Sequence, residues 1–464
     1  MSIISTIRKW VSAMLEVFKG KATEQFRVAP ITSNEVENLI EICEQVYTGE
    51  PPWLNPSDGI GTVNFSKTIC EEIARLATLA IGIQVEGSAK ANYLQDMVDG
   101  MYFQLRHWVE YGCAYGTIIL KPNGTDIDMY TPNQFIVTEK KGDKVWGVVF
   151  INRTTDETGK KYFTRLEYHR FVDDVYQISN ICYVADRADD EGRQVPIEST
   201  PWEGMEPETA IEGLEQPLFG VFRTPSANNV DLDGVIGLPV FAQALVELQD
   251  LDIAYSRNAT EISNSKKIVL LDDRLTMQAG AKLGTKGLDM PDYVKNVFGD
   301  GVNTFYQEIN PTLNTEVRQR GIDALLSQIG FKCGFSNGYF VLNEKTGMIT
   351  ATQVESDDRR TIQTIKDIRD KLEDCLNGLL YAVSAYADLY GLAPAGEYEI
   401  NYSFSDITYS YEFDKTTWWG YVTAGKIPAW YYFVKFEGLT EEDAKALVEE
   451  AKPELPSLFG FKEE

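Results

Sequence analysis

The 464-residue sequence predicts an α+β protein assembled from successive parts, on three observations. Apolar residues recur at helical spacing through much of residues 33–113, and six short segments rich in β-branched and aromatic residues follow, to about residue 184. Beyond Pro239, two helical stretches bracket a small strand-bearing insertion, and one very long helix comes after them. At about 100–200 residues per domain, the length allows two to four domains.

The elements follow in order. Ile3, Ile7, Trp10, Val11, Met14 and Phe18 make Ser2–Gly20 a short amphipathic helix, with Arg8 and Lys9 interrupting its apolar character. It is expected to pack on the body rather than dock on a membrane, since it carries few cations. Residues 33–48 and 64–84 read as helices, the second through Phe65, Ile69, Ile73, Leu76 and Leu79. A third runs from Lys90 to about Cys113, with Met97, Met101, Leu105 and Trp108 on one face. Gly116–Leu120, Ile127–Tyr130, Gln134–Val137, Trp146–Asn152, Tyr162–Phe171 and Val175–Val184 then form an antiparallel meander. Asp186 to about Pro217 is acidic and contains Pro196, Pro201 and Pro207, so it reads as a loop.

Pro239 is expected to open a helix that continues to about Ser263. The insertion 266–310 has a strand at Ile268–Leu271 and another near Asn303–Gln307. A helix over Glu316–Phe331 precedes a break, Lys332–Thr350, whose length and glycines (Gly334, Gly338, Gly347) mark it as functional or mobile. Thr350 and Gln353 form a capping-box signal for the long helix, which keeps helical spacing to about Tyr390 and would span about 60 Å. Glu355–Arg359 and Asp367–Lys371 are spaced for ion pairs along it. A strand at Tyr398–Phe404 and two short helices, Asp414–Ala424 and Thr440–Ala451, complete the chain.

Charge and composition narrow the function. The chain carries 43 Lys and Arg against 70 Asp and Glu, a net −27, which argues against a generic basic DNA-binding face. Such a charge keeps a large assembly soluble through mutual repulsion. The six cysteines, Cys43, Cys70, Cys113, Cys182, Cys333 and Cys375, include no CxxC pair and read as buried free thiols in a reducing compartment. Asn229, Asp231, Asp233 and Gly234 resemble half a calcium loop, but the twelfth position is Val240, so a turn is the better reading. Gly280–Gly287 fails the phosphate-loop pattern, because Thr285 stands where the second glycine belongs. With His107 and His169 the sole histidines, a histidine metal site or a Ser-His-Asp relay is disfavoured. No catalytic residue, metal ligand or cofactor is assigned, and the chain is read as a non-enzyme.

Two features remain. Arg257, Lys266, Lys267, Arg274, Lys282, Lys286, Lys295, Arg318, Arg320 and Lys332 concentrate basic charge in the middle segment. They are either solvated side chains on a helical hairpin or a local surface for a polyanion or an acidic partner. Trp418, Trp419, Trp430, Tyr431 and Tyr432 form an aromatic cluster that is either core or subunit interface.

At this point the sequence resembles a tailed-bacteriophage portal protein of the type found in phages and prophages of Gram-positive bacteria. The stretches carrying the resemblance are Gly234–Pro239 leading to Leu251–Tyr255, then Lys266–Leu270, Gly330–Phe335 and Glu344–Thr352, with Asn64–Lys67, Cys70 and Glu71. It extends from about residue 40 to 450, and its specificity rests on order and extent rather than on one motif.

The resemblance implies a portal fold. Residues 1–236 would be a wing of helices and antiparallel meander, 237–265 and 312–333 the two stem helices, and 266–311 a small α/β clip. Residues 334–350 would be a tunnel loop, 351–392 a long tunnel and wing helix, 393–413 a wing strand and 414–464 a short helical crown. It further implies a homo-oligomeric ring, usually of about twelve subunits, at one capsid vertex. Double-stranded DNA would pass through that ring, without sequence preference, during packaging and ejection.

The partners implied are the terminase large subunit, which would supply ATP hydrolysis, then a neck or head-tail adaptor protein, and the major capsid protein, with a scaffolding protein as a further candidate. No membrane is implied, and the location is the virion after assembly in the host cytoplasm. Asn337, Asn343, Lys345 and Thr346 would make weak phosphate contacts in the channel. Lys266, Lys267, Arg274, Lys282, Lys286, Arg318 and Arg320 would form the basic stem and clip surface, and Trp418, Trp419 and Trp430 a subunit interface. A magnesium-dependent phosphodiesterase and a monomeric helical scaffold are the alternatives from other classes.

Overall fold

The computed structural model describes residues 3–55, 57, 59–124, 126–264, 268–272, 294–297, 306–309, 315–341, 351–404, 418–420, 422–423, 426–437 and 440–450. The chain divides into two compact units, one of residues 1–346 with 357–404, the other of 347–356 with 405–464. Its class is α+β, as expected from the sequence.

In the first unit, α1 (Ile3–Phe26) packs its apolar stripe on a sheet. Met14, Leu15, Phe18 and Ala22 are buried with Ile136, Val149, Ile151, Leu166, Tyr168 and Tyr183. The helix runs past the expected end at Gly20, because Phe26 continues the stripe onto the Tyr168 ring, 5.1 Å away. α2 (Asn34–Tyr47) starts at Ser33, whose hydroxyl accepts from the Val36 N–H. α3 (Phe65–Ala77) stops well before residue 84, and Gly82–Gly87 forms strand β1 instead. Leu79, counted on the helical face in the sequence, is exposed in the turn between them. α4 (Ala89–Tyr115) buries Leu94, Val98, Met101, Leu105 and Trp108.

The expected meander is present but is shared between two sheets. Its strands are β2 (Thr117–Asn123), β3 (Asp126–Tyr130), β4 (Phe135–Lys141), β5 (Lys144–Thr155), β6 (Tyr162–Val172) and β7 (Val175–Ala185). They are followed by β8 (Arg193–Val195), β9 (Glu208–Ile211) and β10 (Gly220–Arg223). β4-β5-β6-β7-β8 is one antiparallel sheet, with β9 also on β7, and β10-β2-β3 is another. A capping box at Thr131 and Gln134 around a single 3-10 turn redirects the chain between the two. The acidic stretch 186–217, expected as a loop, contributes β8 and β9. They are too short, at three and four residues, to leave a period-two signal.

α5 (Leu245–Asn264), β11 (Ile268–Asp272), β12 (Val294–Val297), β13 (Tyr306–Ile309) and α6 (Thr315–Lys332) follow. α7 (Ala351–Tyr390) is 40 residues long and buries Ile365, Ile368, Leu372, Cys375, Leu376, Leu379 and Val383. It passes so close to β10 that a Cβ on Gly220 would lie 2.1 Å from the Cys375 carbonyl. Lys371 pairs with Asp374 at 2.9 Å rather than with Asp367, which accepts from Gln363. The Thr350 capping signal lies outside the described residues, as does the Glu355 side chain. β14 (Tyr398–Ser403) pairs with β1. The second unit contains α8 (Ala429–Glu437), which the sequence did not announce, and α9 (Glu441–Glu450).

All six cysteines are buried with free thiols. Burial pushes the Cys43 and Cys333 thiols up to about 12, which keeps them protonated and unreactive. Among the described residues, no helix is long and apolar enough to cross a membrane.

Candidate functional site

The segment the sequence singles out is the helix pair with its small sheet. Pro239 does not begin α5. It begins a turn in which the Ala242 N–H donates to the Pro239 carbonyl and the Ala244 N–H to Phe241, one 3-10 step before the α-helix starts at Leu245. Phe241 is fully buried and fixes that entry. α5 and α6 run antiparallel: Lys332, the last residue of α6, meets Glu247 in the first turn of α5 at 2.5 Å, and Arg318 near the start of α6 pairs with Glu261 near the end of α5. Asp252 of α5 accepts from the Trp53 indole N–H at 2.9 Å and the Val63 N–H at 2.8 Å. The connection between α2 and α3 is thereby tied to the helix pair.

The small sheet between the helices has the order β12-β11-β13, with β12 parallel and β13 antiparallel to β11. β13 is the strand expected near Asn303–Gln307, displaced a few residues onward, and β12 was not foreseen because four residues leave little pattern.

Of the basic residues proposed here, Arg318 pairs with Glu261 and Arg320 with Glu316 at 3.7 Å. On the described helix pair, Arg257, Arg318, Arg320 and Lys332 stand against Glu247, Asp250, Asp252, Glu261, Glu316 and Asp323, so the two helices by themselves are not a cationic surface. Lys266, Lys267, Arg274, Lys282 and Lys286 lie outside the described residues, as does the Gly280–Gly287 stretch. The helices do leave Val246, Tyr255 and Val317 more than half exposed.

The break after α6 is only partly a loop. Gly334 has φ +92°, and its carbonyl accepts from the Thr364 hydroxyl at 2.8 Å. The Ser336 N–H donates to Thr361 Oγ1 at 2.9 Å, and the Tyr339 hydroxyl donates to Glu72. Phe335, 1% exposed, lies within 5 Å of the Tyr339 and Phe340 rings, and Phe340 meets Phe65 at 5.1 Å. Residues 334–341 are therefore an anchored turn on α3 and α7, so this part of the break is held in place rather than mobile. Asn337 sits at the exposed tip of that turn. Asn343, Lys345 and Thr346 lie outside the described residues.

In the second unit, Trp418 stacks on Tyr431 at 5.8 Å and Trp419 meets Tyr432 at 5.0 Å. Trp430 lies edge-on to Tyr431 and under the Lys445 ammonium, 4.7 Å from the ring centre. Trp419 and Tyr431 remain 45% and 44% exposed, so the cluster packs on itself and still presents aromatic surface.

Among the described residues, a dense ionisable group lies outside those to which the sequence points. Arg165, Glu167 and His169 alternate on β6 and face away from α1, toward β10-β2-β3. Glu167 accepts from Lys121 of β2, from Arg165 at 2.9 Å and from Asn152 at 3.1 Å. His169 bridges Glu167 at 2.9 Å and the Tyr176 hydroxyl at 2.8 Å. Burial pushes the Glu167 carboxyl up, but the Lys121 and Arg165 charges with the His169 hydrogen bond outweigh it and hold the group well below the usual carboxylate range. Burial holds the imidazole below its ordinary 6.5 against the pull of Glu167. Perturbed groups often mark functional sites, but Lys121, Arg165, Glu167 and His169 are all less than a tenth exposed and bond one another, which suits a clamp between two sheets.

His107 is exposed on α4, and residues 228–234 form a turn in which Asn228 Oδ1 accepts from the N–H groups of Val230 and Asp231. Among the described residues, no group of three His, Cys, Asp or Glu could hold a metal ion. In comparisons with known proteins, no family model and no curated protein matches the chain.

Proposed function

We propose that the protein is a portal subunit, a structural, non-enzymatic protein that assembles into a ring of about twelve copies at one capsid vertex and forms the channel for double-stranded DNA. The observation that carries this reading is the antiparallel pair α5/α6, which brackets a three-stranded sheet and leads through an anchored turn into the 40-residue α7. A helical hairpin that brackets a small sheet suits a stem and clip, and the long helix that follows it in the chain suits a channel wall. The elements from α1 to β10, with β14, would be the wing, and residues from 414 a short crown.

The chemistry agrees with such a role. DNA that must slide needs a wall that repels phosphate broadly, and a net −27 per subunit repeated around a ring supplies this within a Debye length of about 8–10 Å. Lys345, Asn337, Asn343 and Thr346 would touch phosphate weakly and exchange quickly. Exposed Val246, Tyr255 and Val317 on the helix pair suit burial against a neighbouring copy. Terminase would dock on the clip during packaging, and a neck adaptor afterwards. Capsid protein would surround the wing.

The test is to shorten residues 342–350 while keeping the anchored turn 334–341. Rings are expected to form as before and DNA packaging to fail. Loss of ring formation would make the segment a subunit contact, and unimpaired packaging would remove it from the channel.

A further inference from the structure

β1 and β14 form a two-stranded antiparallel sheet, a size that needs outside support to be stable. Its two edges are treated differently. On the β1 side the Ile83 N–H donates to the Tyr102 hydroxyl at 2.6 Å and the Val85 N–H to Gln95 Oε1 at 2.8 Å. The Ile83 carbonyl accepts from Gln95 Nε2 at 3.3 Å and from the Tyr102 hydroxyl at 3.2 Å. Side chains of α4 thus stand where a third strand would, and that edge is closed.

These same bonds fix the phase of the ladder. Ile83 and Val85 aim their backbone groups away from β14, so their register partners Tyr402 and Ile400 aim theirs away from β1. Tyr398, opposite Gly87, continues the series. Among the described residues, nothing donates to or accepts from the backbone of Tyr398, Ile400 or Tyr402 on that outer edge. The Tyr402 side chain is held, its hydroxyl donating to Asn377 on α7 at 2.9 Å, so the strand is supported from its side-chain face while, among the described residues, no strand pairs with its outer edge.

The surroundings are acidic. Glu86 and Glu399 are register partners and both exposed, a like-charge pair that destabilises a ladder. Glu397 is exposed one step before the strand. Glu373 of α7 lies near Tyr402, with Asp370 and Asp374 near it in turn.

We propose that the outer edge of β14 is a docking site for an extended, lysine- or arginine-bearing segment of another protein, which adds as a third strand. Main-chain bonds to Tyr398, Ile400 and Tyr402 would supply the pairing, and the cations would relieve the repulsion among Glu86, Glu397 and Glu399. The segment would lie along about five residues, or about 17 Å, of edge. A second copy docking through its own β14 fits less well, since it would bring Glu397 and Glu399 of both strands together. The site does not depend on the portal reading.

Residue-resolved amide hydrogen exchange on the full chain tests it. In the free protein the amides of Tyr398, Ile400 and Tyr402 exchange fast and those of Glu399 and Asn401 slowly. A peptide of about eight residues alternating lysine with valine slows Ile400 and Tyr402 by about tenfold or more, while its glutamate counterpart does not. The double variant Glu397→Lys with Glu399→Lys reverses that preference and keeps the edge. Slow exchange at Ile400 and Tyr402 without peptide, protection by neither peptide or equal protection by both would overturn the proposal. Protection that rises with protein concentration alone would assign the edge to a second copy and overturn it as well.

Discussion

Glu167→Gln is expected to cost the first unit about 3–5 kcal/mol, read as a lowered midpoint in urea unfolding. The substitution removes the carboxylate that Lys121 and Arg165 share in the space between two sheets, and leaves Asp128, which acts on Lys121, as a weaker answer to the two cations. Their side chains are only 4% exposed, so water cannot substitute for the lost carboxylate. If the effect is charge rather than packing, adding Lys121→Met to Glu167→Gln recovers part of the loss, and a simple sum of the two single costs would contradict this.

The same network sets a direction for pH. His169 is held below its ordinary 6.5, so on acidification the unfolded chain takes up a proton first, and stability falls as pH drops below about 6.5. The contribution of Glu167, whose folded value is depressed from 4.5, is fully present above 4.5 and is lost as pH falls through the folded value. Stability therefore decreases in two overlapping stages on the acid side. His169→Asn is expected to flatten the first stage.

Phe335→Ala is expected to cost about 3–5 kcal/mol as well, since the ring is fully packed and its removal leaves a cavity between α3, α6 and α7. Asn337→Ala, two residues on at the exposed tip, is expected to stay within about 0.5 kcal/mol. That contrast separates anchor from tip within a stretch the sequence presented as one loop. Comparable small effects at both positions in urea unfolding would show that residues 334–341 are not held to α3 and α7.

The elements that were legible are those with long periodic signals. α4, α6 and α7 follow from apolar spacing, and the hairpins β5-β6 and β6-β7 from alternation bounded by turn residues. Elements of three or four residues, β8, β9 and β12, carry too few positions for any period to stand out. The anchored turn is hard to read from sequence because Gly334 and Gly338 suggest freedom. Gly334 is in fact locked at positive φ, and Phe335 and Phe340 beside it were the signal of anchoring.

The Glu167 clamp was half legible. Arg165, Glu167 and His169 alternate in a strand and so had to share one face, but Lys121 reaches them from another sheet, a meeting that no local pattern encodes. Likewise Asp252 meets Trp53 across 199 residues. For the helix pair, order and length were readable. The pairing of Arg318 with Glu261 and of Lys332 with Glu247 was not, because it depends on the antiparallel register of α5 and α6.

The portal reading is tested most directly by the native mass of the purified full chain at moderate salt, with imaging of the same sample. A discrete ring of about twelve copies around a central hole is the expected result. A stable 52.3 kDa monomer at every concentration, unchanged when capsid components are co-expressed, would contradict it.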